Sequence, residues 1–133
     1  MADFSEKSIQ SLDSARYLVK QHFYSSTVNR AYYACFQYIM YVLIKKLNRD
    51  EKMFHIEAKN SPNGTHTWAC KVIGIDLAKK SYNDYKWFQK EIVELREKRV
   101  LADYHSAVIT PEEGNVSITK AESIINVLKG NFK

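Results

Sequence analysis

Two arginines pose the chemical question in this chain. Arg99 lies on a helical stripe with Phe88, Ile92, Leu95 and Ala102, at steps of three and four residues. The pattern therefore assigns it an inward position. A guanidinium placed inward needs a partner, because an unpaired buried charge is costly. Asp103, one turn later, offers an i,i+4 ion pair that would fix helix packing. A phosphate offers the alternative, since its oxygens match the planar guanidinium fork better than they match an ammonium. Arg30 raises the same question on another helix, beside Asn29 and just ahead of Tyr33. Helix starts favour anions, and Arg30 adds donors there. If the two helices pack together, Arg30 and Arg99 define one basic pocket lined by tyrosine; by itself, Arg30 reads as a solvated surface side chain.

The elements that must position these groups are helical. Apolar periodicity predicts five helices, at about 4–22, 25–46, 65–80, 83–103 and 118–129. Ser25 and Ser26 are the N-cap candidates of the second. Pro62 and Gly64 read as breakers closing a polar loop, Pro111 and Gly114 as breakers before the last helix, and Gly130 as its stop. No segment alternates cleanly enough for a strand, and no repeat or second domain is visible, so 1–133 reads as a single all-α domain. The second helix is unusual. Between Arg30 and Lys45 it carries no charge, and it includes Tyr32, Tyr33, Tyr38 and Tyr41. A helix apolar on every side must be covered on every side, by its own neighbours or by a partner subunit. Tyr32, Tyr38 and Ile39 are expected to face one neighbour. Tyr33, Gln37 and Tyr41 are expected to line a cleft, a dimer contact or the far side of the core.

Composition narrows the class. With 45% hydrophobic and 26% charged residues the chain has an ordinary globular balance, and four glycines and two prolines favour long helices over many turns. The net charge of +5 would assist binding to a phosphate-bearing partner without identifying one. Cys35 and Cys70 each sit inside an apolar helical pattern and read as buried free thiols. The N-terminal stretch lacks an apolar signal core, and the 31–44 run is too short to span a bilayer, which needs about 20 residues. A cytoplasmic location without membrane contact is therefore expected. His22, His55, His66 and His105 are scattered without paired ligand spacing, so no metal and no cofactor are expected. His66, in "NGTHTW", reads as a first-turn surface residue, with the cleft as its less favoured destination. Trp68, Trp87 and Phe88 read as core.

The stretches "YSSTVNRAYYACFQYIMYVL" and "LREKRVLADY" resemble the HEPN family of small helical proteins. Asn29, Arg30, Tyr32, Tyr33, Ala34 and Phe36 match its N-R-x-Y-Y-A-x-F helix; Arg99, Ala102, Asp103 and Tyr104 match its R-x-x-A-D-Y segment. The resemblance covers about residues 8–129 and implies an up-and-down bundle that pairs as a homodimer through the second and fourth helices. It also implies a cleft for RNA or nucleotide, lined by Asn29, Arg30, Tyr33, Asp103 and Tyr104. Some members are metal-independent ribonucleases carrying R-x4-6-H; others accompany small nucleotidyltransferases in toxin–antitoxin pairs. Here five residues, "VLADY", separate Arg99 from His105.

The chemistry implied by that spacing is RNA self-cleavage. A histidine takes the 2′-hydroxyl proton, and an arginine stabilises the charge that builds on phosphorus. Arg99 and His105 are the catalytic candidates. Six residues of ideal helix would turn them roughly 120° apart, so they share a site only if the helix ends near Tyr104 or the site is built across a dimer axis. Taken without the resemblance, His105 is a polar residue at a helix C-terminus, where a cation is welcome. The expected function is RNA or nucleotide binding, with cleavage as its extension. The alternative is a non-catalytic dimeric module that docks a nucleotidyltransferase.

Overall fold

A computed structural model of the chain describes residues 3–61 and 64–133. Among them are six α-helices and no strand: α1 (Phe4–Lys20), α2 (Tyr24–Tyr41), α3 (Glu51–Asn60), α4 (Gly64–Lys80), α5 (Tyr82–Tyr104) and α6 (Pro111–Asn131). A π-helical turn, Val42–Lys46, extends α2.

The apolar second helix is the hub. α1, α4, α5 and α6 all pack on α2. Val28, Ala31, Tyr32, Ala34, Cys35 and Ile39 are fully buried on it. Small residues at 31 and 34 let the neighbouring backbones approach. Ser8 of α1 donates to the Ala34 carbonyl at 2.7 Å. Gln37 also faces α1 rather than a cleft: its amide nitrogen donates to Ser11 Oγ at 2.7 Å and to the Lys7 carbonyl at 2.9 Å. The stripe Phe88, Ile92, Leu95 and Arg99 is the buried face of α5, as its periodicity predicts.

The helix ends explain where expectation and structure part. α1 stops at Lys20, and His22 takes a left-handed φ of 65° that turns the chain into α2. α2 then begins at Tyr24, behind Phe23, and uses neither Ser25 nor Ser26 as a cap. The segment read as a polar loop contains α3. Its start is held by Asp50, which accepts from the Lys52 N–H at 2.8 Å, and Ala58 is buried within it. Pro62 lies outside the described residues. Gly64 is a first helical residue, with φ 86°.

α6 starts at Pro111, not near 118. Thr110 Oγ1 accepts from the Glu113 N–H, the Glu113 carboxylate accepts from the Thr110 N–H, and proline occupies the first turn. Proline costs nothing there, because its missing N–H would have no helical partner. Gly114 fits because the Tyr24 ring would stand 3.3 Å from any Cβ at that position. Gly130 does not end the helix, which continues to Asn131. Asn131 donates to Asp84 of α5 at 2.9 Å.

Ile39 is completely buried at the hub, so Ile39→Ala is expected to cost about 2–5 kcal/mol in urea unfolding. Thr110→Ala removes only a cap and is expected to cost about 1 kcal/mol.

Candidate functional site

The first turns of α2 meet the last turns of α5, and six of the seven sequence candidates gather there. Arg99 is 8% exposed. Its guanidinium carbon lies 5.3 Å from the Tyr32 ring centre, 5.6 Å from that of Tyr33 and 5.7 Å from that of Tyr104. Rings at these distances turn their negative faces to a cation that water barely reaches. Asp103 supplies the formal counter-charge, with Oδ2 at 3.5 Å from Arg99 Nη1. That is long for a hydrogen bond.

The same carboxylate oxygen is bound more closely by Asn29, whose Nδ2 donates at 2.8 Å. Asn29 in turn accepts from Arg30 Nε at 2.9 Å, and the Arg30 guanidinium lies 5.1 Å from the Tyr33 ring centre. A polar relay thus runs from Arg30 through Asn29 and Asp103 to Arg99. It does not saturate Arg99. Nε of that residue is buried with no hydrogen-bond partner in the protein. The predicted i,i+4 pair therefore exists, but it leaves donor capacity on the buried guanidinium.

Tyr104 closes the outer side and is 72% exposed. His105 caps α5 in extended backbone, φ −125° and ψ 159°, so the helix ends where a shared Arg99–His105 site requires it to end. The His105 side chain is exposed, and no side-chain hydrogen bond, ion pair or ring contact joins it to the Arg99 cluster among the described residues.

Sequence reasoning placed His66 at the surface, and the structure corrects this. His66, in the first turn of α4, is half-buried against α2. Its ring stacks on Phe36, with centres 4.2 Å apart and planes 9° from parallel. It lies nearly parallel to Tyr32 and edge-on to Tyr33. Tyr32 Oη is 2.7 Å from Nδ1. Burial, reinforced by the positive charges of Arg96 and Arg99, pulls the His66 pKa down from 6.5 to about 4. Arg96, also missed, donates to Thr67 beside it. The only signal in the sequence was the position of His66 at a helix start; its partners Tyr32 and Phe36 are 34 and 30 residues away.

Other features bear on what the site can hold. A groove of about 640 Å³ between α4 and α5 is lined by Cys70, Gly74, Tyr85, Phe88 and Ile92, with Arg96 at its rim. Cys35 and Cys70 are free thiols, and burial pushes the Cys70 pKa up to about 11, which makes it a poor nucleophile. No group of three or more His, Cys, Asp or Glu side chains is arranged for a metal ion among the described residues. No helix among them is long and apolar enough to cross a membrane.

His66 binds fewer protons in the folded chain than in the unfolded chain between pH 6.5 and about 4. Stability is therefore expected to fall as the pH drops through that window. The Glu113 carboxyl, held down to about 2 by Lys98 and Thr110, acts at lower pH. Thermal midpoints measured from pH 7 to pH 4 test this, and His66→Gln is expected to flatten the decline.

No curated protein and no solved structure matches the chain. The family model of the HEPN domain matches residues 1–131. With nearly every residue covered by that match, the chain belongs to the HEPN domain family.

Proposed function

We propose that the corner between α2 and α5 binds a phosphate-bearing ligand, RNA or nucleotide, with Arg99 as its anchor. Membership of the HEPN family supports a nucleic-acid-related role at the level of the family. One observation carries the reading for this chain: Arg99 is nine-tenths buried, yet its Nε lacks a partner and its carboxylate is shared with Asn29. A guanidinium that served packing alone would be fully paired, because each unmet buried donor costs about 1–3 kcal/mol. A phosphate oxygen at the exposed edge of the guanidinium would add a charge-assisted bond, and it would meet Nε, which is out of solvent contact, only if the side chain turned. Arg30, at the other end of the relay, adds positive potential, and Tyr33 and Tyr104 supply ring faces for a base.

Binding is the function proposed, and cleavage is a further step that calls on His105. That side chain is exposed at the end of α5, with no hydrogen bond to Arg99 among the described residues. A homodimer is part of the proposal. Ile75 and Val93 are exposed apolar side chains at the groove between α4 and α5, and a second copy would cover them.

Binding is tested with a fluorescein-labelled single-stranded oligoribonucleotide in chelator. Arg99→Ala is expected to weaken binding by about 10- to 100-fold, the range for one lost charge-assisted contact. Adenosine monophosphate as competitor separates recognition of one phosphate from recognition of a strand. Equal affinity of wild type and Arg99→Ala would remove the site. If the RNA is also cut, His105→Ala is expected to abolish cutting while leaving affinity within about twofold. Light scattering is expected to give twice the chain mass.

A further inference from the structure

His66 is held more firmly than a side chain in a first helical turn needs to be. Phe36 stacks on one face, the Tyr33 ring meets it edge-on, and Tyr32 both lies parallel to it and bonds it. Tyr32 is fully buried, and burial raises its pKa above the ordinary tyrosine value, so the phenol keeps its proton. A neutral hydroxyl can donate to Nδ1 or accept from it; in the first case Nδ1 of His66 is the acceptor. A neutral imidazole whose Nδ1 accepts carries its proton on Nε2. That Nε2–H has no hydrogen-bond partner among the described residues.

His66 also shares its surroundings with Arg99. The Tyr32 and Tyr33 ring centres lie 5.3 and 5.6 Å from the guanidinium, and 5.5 and 5.7 Å from the imidazole. The two donors thus flank the same pair of tyrosines, one from α5 and one from α4. We infer that His66 is a ligand-contacting residue of the Arg99 site, held by Tyr32 so that its Nε2–H is presented to an anionic oxygen of the ligand. The inference rests on the reading of that site as one for a phosphate.

The groups facing the imidazole decide what it can do there. α2 presents Tyr32, Tyr33 and Phe36, and α5 contributes the charges of Arg96 and Arg99. No carboxylate is among them, and the two arginines oppose a third cation. The ring therefore stays neutral at ordinary pH. With Nδ1 occupied and Nε2 protonated, it has no free lone pair with which to accept a proton. His66 is thus a donor that strengthens anion binding, and it is not a general base. Its contribution is constant across the pH range in which an exposed histidine would switch.

Two measurements on the full chain test this. Long-range proton–nitrogen spectra of the histidine rings are expected to show His66 protonated on Nε2 and unchanged from pH 8 to pH 5. Its Nε2 resonance is expected to shift when the single-stranded oligoribonucleotide is added. A proton on Nδ1, or a charged ring at pH 7, would overturn the inference whatever the RNA does. For affinity, His66→Phe keeps the stacking and removes both nitrogens. It is expected to weaken oligoribonucleotide binding about tenfold, while His66→Gln, which keeps a neutral N–H, recovers most of the loss. The double variant Tyr32→Phe with His66→Phe leaves no orphaned hydroxyl and is expected to bind as His66→Phe does. If Arg99→Ala weakens binding while His66→Phe and the double variant bind like wild type, the inference falls and the phosphate site stands. If the wild type does not bind the strand at all, the site reading itself falls, and this inference with it.

Discussion

A helix without a polar face has to be covered on every side, and that demand shapes this protein. α2 meets it by lying at the centre, with α1, α4, α5 and α6 around it. Such a helix still has to accommodate the polar atoms of its tyrosines. Tyr32 is fully buried with its hydroxyl hydrogen-bonded to His66, while Tyr33 keeps part of its ring at the surface under Arg30. The residues that make α2 a hub are therefore the residues that build the candidate site. Packing and chemistry share the same side chains, so the site sits where the core reaches the surface.

The electrostatics follow from the same economy. A guanidinium nine-tenths out of water would ordinarily be matched by a dedicated carboxylate. Here Asp103 is divided between Arg99 and Asn29, and three aromatic faces supply the remaining stabilisation. Ring faces attract the charge but accept an N–H only weakly. The arrangement tolerates the cation without satisfying its donors. On α6, by contrast, Lys120 is gripped by two carboxylates, Glu91 at 2.6 Å and Glu94 at 2.8 Å, so its charge is matched within the protein.

What was visible in the sequence was whatever repeats along one helix. The stripe of Phe88, Ile92, Leu95 and Arg99 announces its buried face, and the uncharged run after Arg30 announces a central helix. The family motifs add the meeting of Asn29 and Arg30 with Asp103. Features made by short signals were misread. α3 has only ten residues, too few turns for its apolar positions to be told from the polar stretch around them. Pro111 and Gly114 looked like breakers because each is costly inside a helix, yet Pro111 sits in the first turn, where its cost does not apply, and Gly114 makes room for the Tyr24 ring. His66 was hidden for a different reason. Its environment comes from α2 and α5, and no spacing within α4 encodes a contact with either.

The hydrogen bond between Asn29 and Asp103 joins positions 74 residues apart. Neither helix carries the basic corner alone: α2 brings the amide and Arg30, α5 the carboxylate and the buried guanidinium. A growing chain therefore cannot display this surface until its C-terminal half has been made and docked. Fraying of the last turn of α5 would erase it while Ile39, Leu43, Phe88 and Leu95 stayed packed. The order of one helix end, rather than the stability of the whole bundle, sets the fraction of molecules that display this corner.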